Sequence, residues 1–423
     1  MYNHVMDLSP ALIFIVGLYL ASAGAGLALE FLNLKRLNER WGEVPPGFEG
    51  HIDGDSLARS REYTIENARL AMAEKLAGSI AALVFVLFLL KPYDRWIASL
   101  GGGFIASGAV FFMLLLFAEA LVSAPLAFWR VFRIERKFGF SAMTPGLWAA
   151  DLAKSIAISS ALAFFFICAA LWIVSLSPGL WWFWIWVLFL GFTIFMMYVS
   201  PHLIEPLFNR FDEVEDPGLR DGIREALQKA GIRAGKVLKV DASRRTSHTN
   251  AYFTGIGSVK RIVLYDTLLK KLGTEEIISV LAHEAGHWRG RHLLKGLMAA
   301  ALIGFAALYI SHRVIETGLL ARALGFEGAS FYAHIVLLGL LASIAAFYFI
   351  PIFAWLSRRR ERGADRFAAE ITGDPSSMAS ALIKLSRDNL SNLHPHPLYA
   401  AFHYSHPPVA ERVWELRKMG EGA

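Results

Sequence analysis

The sequence has a single cysteine, Cys168, and few charged side chains for its length. One thiol excludes both an intramolecular disulfide framework and a cysteine-rich zinc site, so any metal must be bound by His, Asp or Glu. Charged residues make up 18% of the 423 residues, against about 25% in soluble domains, and 55% of the residues are hydrophobic. The composition therefore excludes an ordinary soluble protein and indicates a polytopic membrane protein.

Seven apolar stretches approach the roughly 20 residues that an α-helix needs to cross a bilayer. They are Ala11–Leu29, Leu76–Leu90, Phe104–Phe128, Ser155–Leu176, Leu180–Ser200, Gly296–Ser311 and Phe331–Leu356. The second and sixth are short and need flanking residues to complete a crossing. The first is interpreted as an uncleaved span, because neither Lys nor Arg precedes it and its apolar run continues beyond the signal-like Ala-Ser-Ala sequence.

The net charge of +6 is distributed unevenly along the chain. Basic residues concentrate between spans one and two, between spans three and four, and after span seven at Ser357–Arg362. The positive-inside rule then places the N-terminus outside and the C-terminus in the cytosol. The membrane is the inner membrane in a bacterium and the endoplasmic reticulum in a eukaryote. Because orientation explains the basic residues, we expect no nucleic-acid partner.

This topology divides the chain into four regions. Residues 1–200 hold spans one to five with cytosolic loops 30–75 and 129–154, and residues 296–356 hold spans six and seven. Residues 201–295 and 357–423 share the cytosolic side as two parts of one domain. The predicted elements of that domain are helices at Gly218–Ala230 and from Thr274, strands at Val237–Val240, Ala251–Thr254 and Arg261–Tyr265, and helices at Arg358–Ile371, Pro375–Leu385 and Pro408–Lys418.

The first cytosolic part contains the sequence His-Glu-Ala-Gly-His. On a helix, His283 and His287 lie four residues apart and project from one face, where two imidazoles can bind one ion. Glu284 stands beside the first histidine and can take a proton from water without binding the metal. This is the H-E-x-x-H arrangement of zinc peptidases.

A matching carboxylate occurs in the second cytosolic part. Glu361 and Asp365 are again four residues apart, so Glu361 can complete a His2Glu set and Asp365 can accept the other N–H of a ligand imidazole. Taken alone, this pair could merely compensate the charge of the neighbouring arginines. Because the histidine motif is also present, we interpret the pair as part of a metal site. His292 and His312 are assigned to the helix surface or interface, without a metal role. Glu119 is a functional candidate, because a carboxylate within a span is costly.

The whole chain resembles the M48 family of zinc metallopeptidases, and within it the Ste24-type CAAX prenyl protease branch rather than the HtpX-type proteases with fewer spans. Five motifs carry the resemblance in the family's order: Pro201–Asn209, Ser247–Gly255, His283–Trp288, Glu361–Asp365 and Tyr404–Arg412. The resemblance implies a predominantly α, seven-transmembrane-helix protein with a cytosolic gluzincin-like α+β zinc peptidase domain. It also implies that the spans surround a water-filled chamber.

The same resemblance implies the roles of individual residues. His283, His287 and Glu361 are the expected ligands of one Zn²⁺ per chain, and Glu284 is the general base. Asn250, Ala251 and Tyr252 are expected to form an edge strand on which the substrate lies. His406 and Arg412 are expected to stabilise the reacting carbonyl, with Asp365 orienting a ligand histidine.

The predicted activity is that of a membrane zinc metalloendopeptidase that removes the C-terminal aaX tripeptide from prenylated substrates. An alternative is a quality-control protease that clears membrane proteins without prenyl specificity. A transporter or scaffold with structural zinc is the third possibility, and a fourth protein ligand would favour it. The expected partners are a peptide or protein substrate and membrane lipid, and the sequence leaves the oligomeric state open.

Overall fold

The computed structural model describes residues 9–232, 235–254, 261–326 and 328–421. In this part of the chain, seven helical stretches are long and apolar enough to cross a membrane, which confirms the number of spans. They are Pro10–Arg40, Gly54–Ser99, Phe104–Glu135, Pro145–Leu176, Trp181–Phe208, His292–Thr317 and Phe331–Thr372. Apolar side chains that point outward cover them, with Leu121, Phe165 and Leu302 each at least 70% exposed. Such a surface requires lipid, and the protein is a multi-pass membrane protein.

The membrane part is built from helices that extend beyond the predicted spans, partly because side chains cap their N-termini. Ser9, Asp53 and Thr144 each accept a hydrogen bond from a backbone N–H of the first turn that follows. The helices are α1 Pro10–Arg40, α2 Gly54–Val84, α3 Leu90–Ser99, α4 Phe104–Trp129, α5 Pro145–Leu176 and α6 Trp181–Val199. Single π-helical segments lie at Phe85–Leu89, Arg130–Glu135 and Ser200–Ile204. The segments expected as loops, 30–75 and 129–154, are therefore mostly helical.

The segment between the fifth and sixth spans contains a four-stranded sheet. Its elements are α7 Glu205–Phe208, β1 Phe211–Glu213, α8 Pro217–Lys229, β2 Val237–Val240, β3 Ala251–Thr254, β4 Arg261–Tyr265, α9 Asp266–Lys271 and α10 Thr274–Arg289, with a 3-10 turn at Ala242–Arg244. The strand order is β1-β2-β4-β3, in which β2 and β4 are parallel and the outer pairs are antiparallel. Ile223, Ile262, Leu264 and Leu281 are fully buried between the sheet, α8 and α10. This core fixes α10 against the sheet.

The remaining helices comprise the last two spans and the C-terminal region. They are α11 His292–Thr317, α12 Leu319–Ala323, α13 Phe331–Thr372, α14 Pro375–Asp388, α15 Pro397–His403 and α16 Val409–Glu421. The sequence predicts a seventh span that ends at Leu356 and a separate helix that begins at Arg358. In the structure, the single helix α13 includes both. The connecting Ser-Arg-Arg-Arg-Glu-Arg sequence contains no Gly or Pro and consists mainly of good helix formers. One helix therefore leads from the membrane to Glu361.

Two side chains in the connection between β2 and β3 bind residues of the membrane helices. Arg245 binds the buried carboxylate of Asp151 on α5, with Nε–Oδ2 at 2.9 Å and Nη2–Oδ1 at 3.3 Å. His248 lies between Glu135 and Asn389, with ring nitrogens 3.0 and 2.9 Å from their side-chain oxygens. The catalytic part is thus fixed to the helices beneath it.

Candidate metal centre

The close approach of α10 and α13 builds the site. A Cβ added to Gly286 would lie 2.9 Å from the Cα of Ala364, which is closer than side chains come to backbone atoms. Gly286 stands between the two histidines of the motif, and Ala364 lies between Glu361 and Asp365 in the sequence. The glycine therefore lets the two helices meet at the point where their polar residues face each other.

Three possible ligand atoms converge at this crossing. Nε2 of His283 and Nε2 of His287 are 3.2 Å apart, and each lies 3.1 to 3.3 Å from a carboxylate oxygen of Glu361. In a tetrahedral zinc site with bonds of about 2.0–2.1 Å, two ligand atoms lie about 3.3–3.4 Å apart. In the described chain, the buried Oε2 of Glu361 has no aligned hydrogen-bond donor. These spacings and the donor set fit a bound divalent metal.

The charge at this crossing also favours a cation. Nδ1 of His283 lies 2.7 Å from Oδ1 of Asp365. Burial lowers the pKa of His283, but the hydrogen bonds with Asp365 and Glu361 outweigh this effect and raise the pKa to about 9. A site that stabilises a proton so strongly has a negative potential, and a metal ion would satisfy it. This contact agrees with the position expected for Asp365, and its orienting role stays a prediction.

Glu284 lies beside the ligand atoms but outside their group. Burial raises the pKa of its carboxyl above the usual value, and the opposing effect of His283 and His287 does not cancel this. A carboxylate with a raised pKa is a stronger proton acceptor, as a general base requires. The three predicted ligands form the metal-ligand group found among the described residues, and a fourth protein ligand is not part of it.

His406 and Arg412 reach the site from the C-terminal region. Nδ1 of His406 lies 2.7 Å from Oε2 of Glu361, and more than half of the His406 side chain is exposed. Arg412 is buried and binds Asp365 through Nε and Nη2. Burial lowers the pKa of the guanidinium, but the hydrogen bonds and charge of Asp365 outweigh this effect and raise the pKa. Both cationic or hydrogen-bonding groups that the sequence predicted are therefore next to the ligands.

Arg358 binds the segment that leads to His406. From the sequence, this arginine was expected only to contribute to the positive charge that orients the chain in the membrane. Nη1 of Arg358 lies 2.9, 3.3 and 2.9 Å from the carbonyl oxygens of Ala400, Ala401 and Tyr404. Arg358 lies one turn before Glu361 on α13, so a single helix positions the ligand and the histidine loop. Neither spacing nor composition indicates this contact, because it joins residues more than 40 positions apart.

The predicted substrate strand lies at an edge of the sheet. β3 pairs with β4 on one side, and in the described part of the chain no strand pairs with its other side. Ala251 is buried against α10, whereas Asn250 is exposed just before the strand and Tyr252 donates to Glu205 on α7 at 3.1 Å. Gly255, at the end of the predicted motif, lies outside the described residues. The edge position agrees with the expectation, and the substrate role stays a prediction.

A cavity of about 550 Å³ opens beside the site. His406 and Arg412 line one end, and the remaining wall includes Leu382, Asn389 and Tyr404. Asn389 is also hydrogen-bonded to His248 and Thr249, just ahead of Asn250. The cavity is therefore lined both by residues that contact Glu361 and Asp365 and by a residue bonded to the segment before β3, and its volume is in the range of sites that hold small ligands.

The surface position expected for His292 and His312 needs correction, whereas their lack of a metal role stays a prediction. His292 is not a mere surface residue, because its Nδ1 lies 2.9 Å from Nδ1 of His287. His312 is buried, between Trp181 and Trp182, because α6 packs against α11 at that level. Glu119 is exposed on α4 and is not part of the ligand group.

Comparison with known sequence families gives two adjoining matches. Residues 33–210 match the description "CAAX prenyl protease N-terminal, five membrane helices", and residues 213–420 match "Peptidase family M48". The boundary falls between the π-helical end of the fifth span and β2. All three ligands and Glu284 fall in the second match.

Individual relatives are similar over most of their length. CAAX prenyl protease 1 of Saccharomyces cerevisiae is 29% identical, covering 97% of this chain and 96% of the relative. An uncharacterized metalloprotease of Bacillus subtilis, YhfN, is 32% identical, covering 86% and 85%. The crystal structure of S. mikatae Ste24p superimposes with a TM-score of 0.86 at 30% identity, covering 96% of this chain and 99% of that one. The similarity thus includes both the membrane helices and the catalytic part.

Proposed function

The chain belongs to peptidase family M48 and is a membrane metalloendopeptidase, and from this we propose that it uses Zn²⁺ to cleave near the C-terminus of prenylated peptides or proteins. The observation that carries the proposal is the convergence of His283, His287 and Glu361 to within 3.1–3.3 Å of one another. Two imidazoles and one carboxylate are a common ligand set of catalytic zinc.

The proposed chemistry is hydrolysis of a peptide bond. A divalent ion held by the three ligands would supply Lewis acidity, which polarises the scissile carbonyl and acidifies a water molecule. Glu284 accepts a proton from the attacking water and delivers it to the amine nitrogen as the C–N bond breaks. His406 and Arg412 stabilise negative charge on the carbonyl oxygen. Asp365 keeps the proton of His283 on Nδ1, which leaves Nε2 for the metal.

The peptide is proposed to lie along β3 as an added strand, with Asn250, Ala251 and Tyr252 opposite it. Main-chain hydrogen bonds along a sheet edge bind many sequences. An antiparallel addition continues the β4–β3 pairing and directs the C-terminal residues of the peptide towards the beginning of β3. Asn389, which lines the cavity beside His406 and Arg412, is hydrogen-bonded to Thr249 just before β3, and we assign this cavity to the residues released by cleavage.

The prenyl preference rests on the relatives, several of which are named CAAX prenyl proteases. A membrane enzyme provides apolar surroundings for a lipid-modified cysteine next to a polar site. The basic connections support an N-terminus outside and a catalytic part in the cytosol. The second candidate is a quality-control protease without prenyl specificity, and the bacterial relative is compatible with it, because its name states no prenyl substrate.

A competition assay distinguishes these candidates. Purified protein is given a farnesylated peptide ending in CAAX together with its unmodified counterpart, and product masses locate the cut. Chelator-sensitive release of the C-terminal tripeptide mainly from the farnesylated peptide supports the proposal. Equal cleavage of both peptides, or cuts scattered along them, supports the quality-control function. Activity that survives complete metal removal contradicts both.

A further inference from the structure

The turn that follows α10 places a third histidine against the second ligand. Nδ1 of His292 is 2.9 Å from Nδ1 of His287, and the two ring planes make an angle of 71°. The opposite nitrogen of His287, Nε2, is the one that faces His283 and Glu361. His292 therefore contacts the nitrogen that the metal leaves free.

The backbone of this turn is strained. α10 ends at Arg289 and α11 begins at His292, so only Gly290 and Arg291 connect them. Arg291 has φ 52° and ψ 37°, and in the described chain only one other non-glycine residue, Leu390, has a positive φ. A side chain in this left-handed region crowds its own backbone, which is why glycine normally occupies such a position after a helix.

The glycine of this turn stands one position earlier, where φ is an ordinary −69°. A Cβ added to Gly290 would lie 2.4 Å from Nε2 of His292 and 2.9 Å from two ring carbons. Gly290 is therefore the position at which only glycine leaves space for the imidazole of His292. The left-handed conformation falls on Arg291 instead, where it is strained. Violations of local preference of this kind concentrate at functional positions.

We propose that His292 is a positioning residue of the metal site, which accepts a hydrogen bond from the Nδ1–H of His287. This bond holds His287 in the tautomer whose Nε2 carries a lone pair towards Glu361 and His283. His292 thereby does for His287 what Asp365 does for His283. An imidazole acceptor achieves this without adding a further carboxylate to the site. The inference rests on the metal site proposed above.

Metal affinity of the full-length protein in detergent tests the inference. Dissociation constants for Zn²⁺ and Co²⁺ are measured by competition with a chromophoric chelator, and the Co²⁺ absorption spectrum reports the ligand geometry. His292→Phe should weaken metal binding about 10- to 100-fold. His292→Asn, whose Oδ1 takes the place of Nδ1, should remain within about threefold of wild type, whereas His292→Gln should not. Wild-type affinity and spectrum in His292→Phe would overturn the proposal.

A double-mutant cycle distinguishes the loss of the His292–His287 contact from a general folding defect. Gly290→Ala should weaken metal binding in the wild-type background, because the new methyl group displaces the ring. The same change should have little effect on metal binding in a His292→Ala background, where the ring is missing. Arg291→Gly is the control, with unchanged metal affinity and a higher melting temperature.

An equal loss in both backgrounds would show that Gly290 acts independently of His292 and overturn the inference. Normal metal binding without hydrolysis of any tested peptide would instead contradict the proposed function and leave the role of His292 intact.

Discussion

The guanidinium of Arg412 binds the carboxylate of Asp365 through two parallel hydrogen bonds of 2.8 and 2.7 Å. Both side chains are buried, with 10% and 5% of their surfaces exposed. Asp365 is also 2.7 Å from Nδ1 of His283. Three segments distant in sequence, α16, α13 and α10, are therefore joined at one carboxylate, and the C-terminal helix becomes part of the metal centre.

Removing this guanidinium should destabilise both the fold and the metal site. Arg412→Met leaves Asp365 as a buried charge without its partner, which costs about 3–5 kcal/mol. Thermal unfolding in detergent and the metal content of the purified variant measure the effect. Arg224→Met is the control, because Arg224 forms an exposed ion pair with Asp221 worth about 0–1 kcal/mol. Equal changes in the two variants would contradict a structural role of the buried pair.

Substitution of Glu284 and substitution of Glu361 should impair the protein in different ways, the first affecting turnover and the second metal binding. Glu284→Gln keeps the metal but loses the proton acceptor, so turnover should fall by a factor of about 10²–10⁴. Glu361→Gln removes the anionic ligand, so the metal itself should be lost. Metal analysis and a peptide hydrolysis assay on both variants separate the roles. Near-normal hydrolysis by Glu284→Gln would refute its role as the base, and full metal occupancy in Glu361→Gln would refute the ligand assignment.

Substitution of Arg358 should lower turnover without changing the amount of bound metal. Its guanidinium holds three carbonyl oxygens of the segment that leads to His406, so Arg358→Met frees this loop. We expect kcat to fall about tenfold, since misplacement by about 1 Å can cost up to a hundredfold, while bound metal stays constant. The adjacent Arg359, which is exposed and lies over the ring of Trp355, provides the matched control Arg359→Met. An equal loss in the control would indicate a general effect of charge.

His248 should make stability depend on pH. Burial lowers the pKa of His248, but the hydrogen bonds with Glu135 and Asn389 outweigh it and raise the pKa above 6.5, while Lys271 opposes this weakly. The charged imidazole therefore stabilises the fold fully below about pH 6.5, and the contribution disappears as the pH rises through the raised pKa.

Melting temperatures of wild type and His248→Gln across pH 5.5–9 test this expectation. The wild type should exceed the variant by about 2 °C at the acidic end, and the difference should shrink at the alkaline end. A difference that is constant or grows with pH would contradict the assignment of a charged imidazole.

The spans and the strands Val237–Val240, Ala251–Thr254 and Arg261–Tyr265 could be predicted because their signals are local. Hydrophobic runs and alternating apolar residues are visible within a window of 5 to 25 residues. The ligand histidines were predictable for the same reason, since a separation of four residues on a helix defines one face. Glu361 needed a further argument, from its chemistry and from the side of the membrane on which it lies.

Other features could not be predicted, because they depend on contacts or backbone conformations that are not visible in a short stretch of sequence. β1 is only Phe211–Glu213 and includes two acidic residues, so it is recognisable only through its pairing with β2. Arg358 has the appearance of one more basic residue after a span, and its partners lie in α15 and the loop beyond it. The role of His292 depends on the left-handed conformation of Arg291, which the sequence does not display.

The uninterrupted helix α13 has a mechanical consequence. Its 42 residues form a rod of about 63 Å, at a rise of about 1.5 Å per residue. If such a rod pivots at its outer end, each degree of tilt moves the far tip by about 1 Å. Glu361 lies in the last third of this rod, and the lipid-embedded part lies before it. Pro351 lies inside α13 ten residues before Glu361, where a helix bends readily, so we expect only part of any tilt of the lipid-embedded segment to reach the metal centre.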